Sequence, residues 1–446
     1  MTLKSLHIIL IAAFLGSACS PYSANTIGIR QSLSAGDYAG AFSAVEKAAH
    51  GPSKLLYFLE GGLIAHYDGD YVRSNVLLEH AERTADELFT RSLSRELAAL
   101  VTSDESRHYR GETYELVFIH YYRALNYWYL GLPEDALVEC RKANLKLARY
   151  TGHSDTELTY KNDAFIHYLT ALFYESEGEY NDAYVSLKDA ESAYRLYSEK
   201  LGVPTPAALA DDLARVETEL GYASVGSMAP PLTPDGSGEL VVFAELGFIP
   251  RKTQEEMNLP IYDSDLKRVR TGKVNRVSRQ IKHRHHRHSH ASGVDYWLRV
   301  ATPTFAPSDR TPRVRIVAGT QHIDPVPAQN LDGIARLTLE ENSGSIFVRT
   351  VARALVKLAA TKGAEKKSEW LGFLVNLFTA STEKADTRSW VTLPNEVRIG
   401  RLNLAPGSHT IRIQSLDRWG AVVGEVTREV TIQPGRRTFI NHRQYS

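Results

Sequence analysis

The 446-residue chain has only two cysteines, Cys19 and Cys140, and no net charge, with Lys plus Arg and Asp plus Glu at 52 each. A disulfide-stapled framework is therefore excluded. Global charge points neither to nucleic acid nor to a membrane, so an electrostatic partner must be read from local patches, and no nucleic-acid partner is expected. Long apolar runs are missing as well. Leu6 to Leu15 and Trp370 to Phe378 are the greasiest stretches, and both fall short of the ~20 residues a bilayer-spanning helix needs. Also absent are His-Glu-x-x-His, Gly-x-Ser-x-Gly and a phosphate-binding glycine loop, which removes the commonest hydrolase and nucleotide-binding signatures. Ser264-Asp265-Leu266-Lys267 fits Ser-x-x-Lys but stands without the motifs that accompany it in penicillin-interacting enzymes.

What is present is a repeat. Gly36-Asp37-Tyr38 precedes Ala41, Val45 and Ala48; Gly69-Asp70-Tyr71 precedes Ser74, Leu78 and Ala81. Gly131-Leu132-Pro133 precedes Ala136, Cys140 and Ala143; Gly178-Glu179-Tyr180 precedes Ala183, Leu187 and Ala190. Counted from each glycine, the last three lie at plus 5, plus 9 and plus 12, which is one face of an α-helix. Each copy reads as a tight turn into a packed second helix. Upstream, Gly62, Ala124 and Ala171, with Ala65, Tyr127 and Tyr174, supply small and aromatic positions to a first helix. This pattern resembles the tetratricopeptide repeat, which implies a stack of antiparallel helix pairs over residues 19–222. The first copy departs with Ile29 and Ser32, as a capping unit would, and the widest gap leaves room for an extra helix near Thr84 to Val101. Cys140, at a plus 9 position, is expected as a small buried hydrophobe.

By the geometry of such stacks, first helices line a concave groove. Phe118, Tyr121, Leu125 and Trp128 from the third copy, with Phe165, Tyr168, Leu172 and Glu175 from the fourth, are the candidate partner-binding residues. Their alternative role is to fill contacts between helices.

At the N-terminus Lys4 and the short apolar run form an export signal. Leu15-Gly16-Ser17-Ala18-Cys19-Ser20 resembles a bacterial lipobox. It implies a signal peptide over 1–18 and acylation of Cys19; ordinary signal cleavage is the alternative. Two or three acyl chains anchor stably at ~0.8 kcal/mol per methylene. Ser20 after the cysteine, by resemblance to enteric sorting, implies the outer membrane, on its periplasmic side.

Beyond a Pro/Gly-rich linker at 223–238 the period changes. Residues 239–394 read as an α+β domain. Its expected strands are Glu239 to Gly247, Tyr296 to Thr304 and Arg313 to Ala318; its expected helices are Ser345 to Thr361 and Trp370 to Phe378. Residues 395–446 read as a separate antiparallel β module, with strands Glu396 to Leu404, Ser408 to Leu416, Val422 to Ile432 and Arg437 to Asn441. The fold class is thus α+β and multidomain: an all-α repeat array followed by a mixed, mostly antiparallel β domain with two helices.

Residues 267–290 carry nine Lys or Arg and five His, with no acid between Asp265 and Asp295. Three readings stay open. The tract reads as a solvated basic loop inserted between strands: a charge-swollen insertion, or a contact for anionic phospholipid or lipopolysaccharide, or a Zn, Ni or Cu site using His283, His285, His286, His288 and His290. Histidines gain charge as pH falls through ~6.5, which would strengthen an anion contact. In the segment Asp386 to Pro394, Asp386 and Arg388 are expected to pair and Trp390 to anchor the sheet.

With the lipobox, the repeats, Gly238-Glu239-Leu240-Val241-Val242 and Gly247-Phe248-Ile249-Pro250-Arg251-Lys252, this segment resembles a family of uncharacterised proteobacterial lipoproteins. The genes of that family often lie beside those for penicillin-binding-protein activator lipoproteins. The resemblance implies an accessory role near the cell wall. The expectation is a non-enzymatic envelope scaffold that binds a protein or glycan, without a required cofactor. A metal-binding lipoprotein and a cell-wall hydrolase are the alternatives.

Overall fold

The computed structural model describes residues 22–93, 107–151, 160–222, 232, 236–270, 274–286, 296–365 and 384–445. Its N-terminal half is four antiparallel helix pairs, α1 (Tyr22–Ser34) with α2 (Tyr38–Ala48), α3 (Lys54–Tyr67) with α4 (Tyr71–Leu93), α5 (Thr113–Tyr129) with α6 (Pro133–Thr151) and α7 (Ala164–Ser176) with α8 (Tyr180–Leu201). A single helix, α9 (Ala208–Glu219), closes the series. Each helix packs on the next in the chain.

The turns follow from backbone chemistry. Gly36, Gly69, Gly131 and Gly178 all adopt left-handed φ between 72° and 84°. Around the first, Gly36 N donates to Leu33 O and Asp37 N to Ser32 O. That pair of bonds satisfies carbonyls the helix end would otherwise leave open, and only glycine takes this φ without a steric penalty. Asp37 and Asp70 then cap the next helix by accepting from Gly40 N and Arg73 N. All twelve residues at plus 5, plus 9 and plus 12 are buried. Gly62 marks a close approach: a Cβ there would lie 2.6 Å from the Leu78 side chain.

The C-terminal half contains two four-stranded sheets. One has the order β10 (Arg437–Gln444), β1 (Gly238–Leu246), β7 (Glu396–Leu404), β6 (Val326–Asn330). The other has the order β5 (Gln321–Ile323), β4 (Arg313–Ala318), β8 (Gly407–Leu416), β9 (Val422–Ile432). Strand β1 pairs parallel with β10 and antiparallel with β7. Alternation divides its side chains. Leu240, Val242, Ala244 and Leu246 face the second sheet, meeting Ile316, Ile411, Ile413 and Ile432. Val241 and Phe243 face the helical array, with Ile399 and Phe439 beside them. The molecule is therefore layered, helices then sheet then sheet, and β1 is buried along its whole length.

A third core joins the ribbon β2 (Lys252–Ile261) and β3 (Tyr296–Phe305) to three helices, α10 (Asp263–Arg270), α11 (Val274–His286) and α12 (Leu331–Glu365). Among the described residues no helix is long and apolar enough to cross a membrane.

The α+β class and the order of the two halves agree with the expectation, and β1, β3, β4, β7, β8, β9 and β10 fall where strands are expected. Several local expectations change. Residues 395–446 are not a separate module, because β7 and β10 hydrogen-bond to either side of β1. The basic tract is not a solvated loop over 267–286: most of it lies in α10 and α11, whose Val269, Val277 and Ile281 are buried. In place of a new helix from Thr84, α4 continues to Leu93. The helix expected from Ser345 begins at Leu331, since the polar run Glu340 to Ser345 interrupts the apolar pattern without breaking the backbone. Strand β2 leaves no mark in the sequence because Thr253 to Glu256 are exposed and polar. The helix expected over Trp370 to Phe378 lies outside the described residues.

Candidate functional site

The candidate groove residues do converge on one concave face, and that face is already filled by the chain itself. Phe118, Tyr121, Leu125, Tyr168, Leu172 and Glu175 are buried, and Trp128 packs against the same core. The occupant is the inner face of β10, β1 and β7. Trp128 stacks on Phe173 at 4.1 Å between ring centroids and meets the edge of Phe439 at 5.0 Å. Phe165 meets Phe243 at 5.8 Å. The expectation of an open groove is thus corrected: its aromatics form a core between the halves because β1 presents apolar side chains on both faces.

Charge is buried in the same interface. From the helices come Glu175, Asp212 and Arg215; from the sheet come Glu239, Arg401 and Arg437. Arg401 Nη1 donates to Asp212 Oδ2 at 2.6 Å and to the Tyr168 hydroxyl at 2.9 Å, and its Nε donates to Glu239 Oε1 at 2.7 Å. Arg437 Nε donates to Glu239 Oε2 and its Nη1 to Glu175 Oε2, both at 2.7 Å. Arg215 bridges Glu175 and Asp212. Burial alone would raise the Asp212 carboxyl, but Arg401, Arg437 and Arg215 outweigh it and hold the group well below its usual range. Isolated buried charges cost several kcal/mol each; three cations facing three carboxylates with forked hydrogen bonds offset that cost.

A second cluster surrounds Glu245. Tyr67 donates to its Oε2 at 2.6 Å and Tyr121 to its Oε1 at 2.8 Å. Nearby, His66 Nδ1 lies 2.6 Å from Asn126 Oδ1 and its Nε2 lies 2.8 Å from Asn441 Nδ2. These partners require the tautomer with hydrogen on Nδ1, and burial lowers the His66 pKa to about 4.

The segment before β7 is held by two more carboxylates. Glu60 accepts from Val391 N at 2.8 Å and from the Tyr22 and Thr392 hydroxyls. Glu115 accepts from Trp390 N at 2.7 Å and from the Tyr109 hydroxyl at 2.5 Å. Burial pushes both up to about 7, with the Glu112 charge adding to the effect at Glu115. Asp386 and Arg388 pair at 2.7 Å, and Trp390 is fully buried, as expected.

Chemistry needs access, and these groups lack it. The Cys140 thiol is buried and pushed up to about 12 by that burial, which keeps it a neutral packing group. Glu82, His120 and Glu139 offer donor atoms within 4.8 Å of one another. Their charge is already matched: Arg123 lies 2.7 Å from Glu82 and 3.1 Å from Glu139, Lys142 lies 3.1 Å from Glu139, and Lys146 lies 3.3 Å from Glu82. A divalent ion would have to displace three cations, so this set fits an ion-pair cluster better than a metal. Of the candidate metal residues, His283, His285 and His286 fall in the last turn of α11, and His288 and His290 lie outside the described residues, as does Cys19.

Two open clefts flank residues 107–111. One, of about 450 Å³, is lined by Lys54, Phe58, His80, Arg83 and His108 among others. The other, of about 230 Å³, lies between Arg107 to Glu112 and α12. Both mix charges of either sign.

One feature of the outer surface follows the repeat and is hard to see in the sequence. Val76, Val138 and Val185 stand seven residues after their turn glycines and are 50%, 38% and 57% exposed. They repeat one position on three consecutive second helices, α4, α6 and α8. The apolar side chain recurring at plus 7 is the available signal, masked by the stronger core pattern around it.

The chain matches no protein-family model and no curated protein.

Proposed function

We propose that this protein is a non-enzymatic scaffold of a bacterial envelope, tethered through acylated Cys19 and presenting the outer helices of its array to a protein partner. The observation that carries the reading is the row Val76, Val138 and Val185, exposed at equivalent positions of successive repeats. Isolated surface valines need no explanation, but an aliphatic residue recurring at one position of three successive helix pairs gives a ridge that follows the repeat, and repeat arrays bind along such surfaces. The concave face is withdrawn from partner binding because the chain's own sheet fills it. The tether fits the same arrangement. Tyr22, the first residue of α1, is buried and donates to Glu60. Only two residues, Ser20 and Pro21, separate it from Cys19, a reach of about 10 Å, so an acyl anchor would hold the array against the bilayer.

Two experiments test the two parts. Labelling cells with an alkyne fatty acid should mark the parent chain and leave Cys19→Ser unmarked; an unmarked parent removes the anchor. Replacing Val76, Val138 and Val185 together with Asp should change stability by no more than about 0.5 kcal/mol per site and abolish a partner crosslink found in intact cells. A crosslink that survives the triple substitution rejects the ridge.

A further inference from the structure

Strand β9 is the last of the second sheet, and its hairpin with β8 closes in a turn that carries apolar side chains into solvent. Trp419 in the turn is 75% exposed and Val423 shortly after it 69% exposed; Val422 and Val426 are about half-exposed. The turn is held from within. Asp417 Oδ1 accepts from Trp419 N and from Ala421 N, both at 2.8 Å. Asp417 N donates to Ala421 O at 2.9 Å and Gly420 N to Asp417 O at 3.2 Å, with Gly420 at a left-handed φ of 88°. Behind the turn stand strands of ten and eleven residues. Trp419 is therefore presented on a braced tip, whose backbone entropy is already lost on folding.

The apolar residues look outward on more than one side. Val426 pairs with Ile413 and Val422 with Leu416. Ile413 and Leu416 are three positions apart on β8, so their partners lie on opposite faces of the hairpin. The register shift beside Leu416 leaves Val423 at a bulge. The Arg418 guanidinium lies 3.8 Å from the centre of the Trp419 ring, which joins a cation to the aromatic surface. Further along, the stem is polar. Glu425, Thr427, Arg428 and Glu429 are exposed, and Gln414 and Thr410 donate to Glu425 and Glu429. The apolar tip is thus short, about 10 Å at ~3.4 Å per residue.

We infer that the tip of the β8–β9 hairpin inserts into the headgroup and upper acyl region of a phospholipid bilayer. A protein pocket would have to clasp a narrow prong from both faces. A specific protein interface also needs one patch of about 800 Å² per partner, and the tip offers no single patch. A bilayer interface surrounds an inserted prong on every side. Tryptophan favours that interface because its ring is apolar and its indole N–H polar. The Arg418 cation stacked on the ring would meet the lipid phosphates, and a depth of about 10 Å is that of interfacial elements. The inference goes beyond the proposed scaffold role and rests on neither acylation of Cys19 nor the valine ridge.

The test follows the tip itself. In the full chain with Cys19→Ala, Ala421→Cys is labelled with an environment-sensitive fluorophore; Cys140 is buried and stays unlabelled. Vesicles of phosphatidylethanolamine and phosphatidylglycerol should shift the emission to the blue, and nitroxide groups on the upper acyl chain should quench it about twofold or more. The same label at Thr427→Cys should keep its emission, because the stem stays in water. The apolar N-terminal segment can bring the chain to a vesicle, but it cannot by itself move the label at 421 out of water. Trp419→Ser with Val423→Ser should abolish the response at 421, and Trp419→Phe should retain most of it. Both side chains are exposed, so circular dichroism should be unchanged. If the serine variant unfolds, the nitroxide quenching at 421 against 427 decides. A label at 421 that stays in water on vesicle-bound protein, an equal response at 421 and 427, or a response that survives the serine substitutions overturns the inference. So does a blue shift that needs no lipid and grows with protein concentration, which would show a second copy covering the tip, and so does a lipid-independent crosslink from 421 to another protein.

Discussion

Glu60 shows how single side chains hold the two halves together. It sits in the middle of α3, yet its hydrogen-bond partners include Val391 and Thr392. Burial raises its pKa to about 7, above the ~4.3 of an unfolded glutamate. Between those values the folded state holds a proton that the unfolded state has lost, so this group's contribution is full at low pH and declines as pH rises through about 7. Glu115 acts in the same direction. His66, lowered to about 4, acts oppositely, losing stability as pH falls from ~6.5 toward 4. A comparison with a Gln variant cancels the other groups. Glu60→Gln, which keeps the acceptor oxygen and cannot ionise, should gain stability relative to the parent between pH 5 and pH 8, read by urea unfolding at each pH. A constant difference across that range would show that the Glu60 carboxyl does not titrate there.

The helix pair is the unit at which sequence and structure agree best. Turn, cap and buried face all lie within a dozen residues, so the plus 5, plus 9 and plus 12 pattern reports its own environment. The turn glycines give a clean test. At Gly131, φ is 72° and nothing lies within 4 Å of where a Cβ would stand. Gly131→Ala should therefore cost about 1 kcal/mol through backbone conformation alone, measured as a lower midpoint with an unchanged denaturant slope. A larger loss would mean that the pair boundary is packed more tightly than its geometry implies. Local pattern misleads where it parts company with burial. The cations of α10–α11 point to a solvated loop, but Val269, Val277 and Ile281 recur at helical spacing and find an apolar support in β2, β3 and α12.

At the scale of the molecule, β1 decides the architecture. It lies between β10 and β7 in one sheet and between the helical array and the second sheet in depth. The two halves should then unfold as one unit, giving coincident transitions by tryptophan fluorescence and far-ultraviolet circular dichroism. Truncation before Glu396 would remove both neighbours of β1 and uncover Phe243, so the shortened chain should lose cooperative unfolding and expose apolar surface to dye. A cooperative transition in the truncated chain would restore the boundary at 395.

The sequence by itself determined the helix pairs, their turns, most of the strands and the order of the two halves, because each depends on residues a few positions apart. It also brought the concave aromatics to notice, since Phe118, Tyr121, Trp128 and Tyr168 follow the faces of first helices. What occupies that groove was decided only in three dimensions. Arg437 lies far along the chain from Glu175 and Asp212, and Phe439 equally far from Trp128, yet these contacts close the groove. Periodicity records that a side chain is covered; which part of the chain covers it is a property of the packed whole.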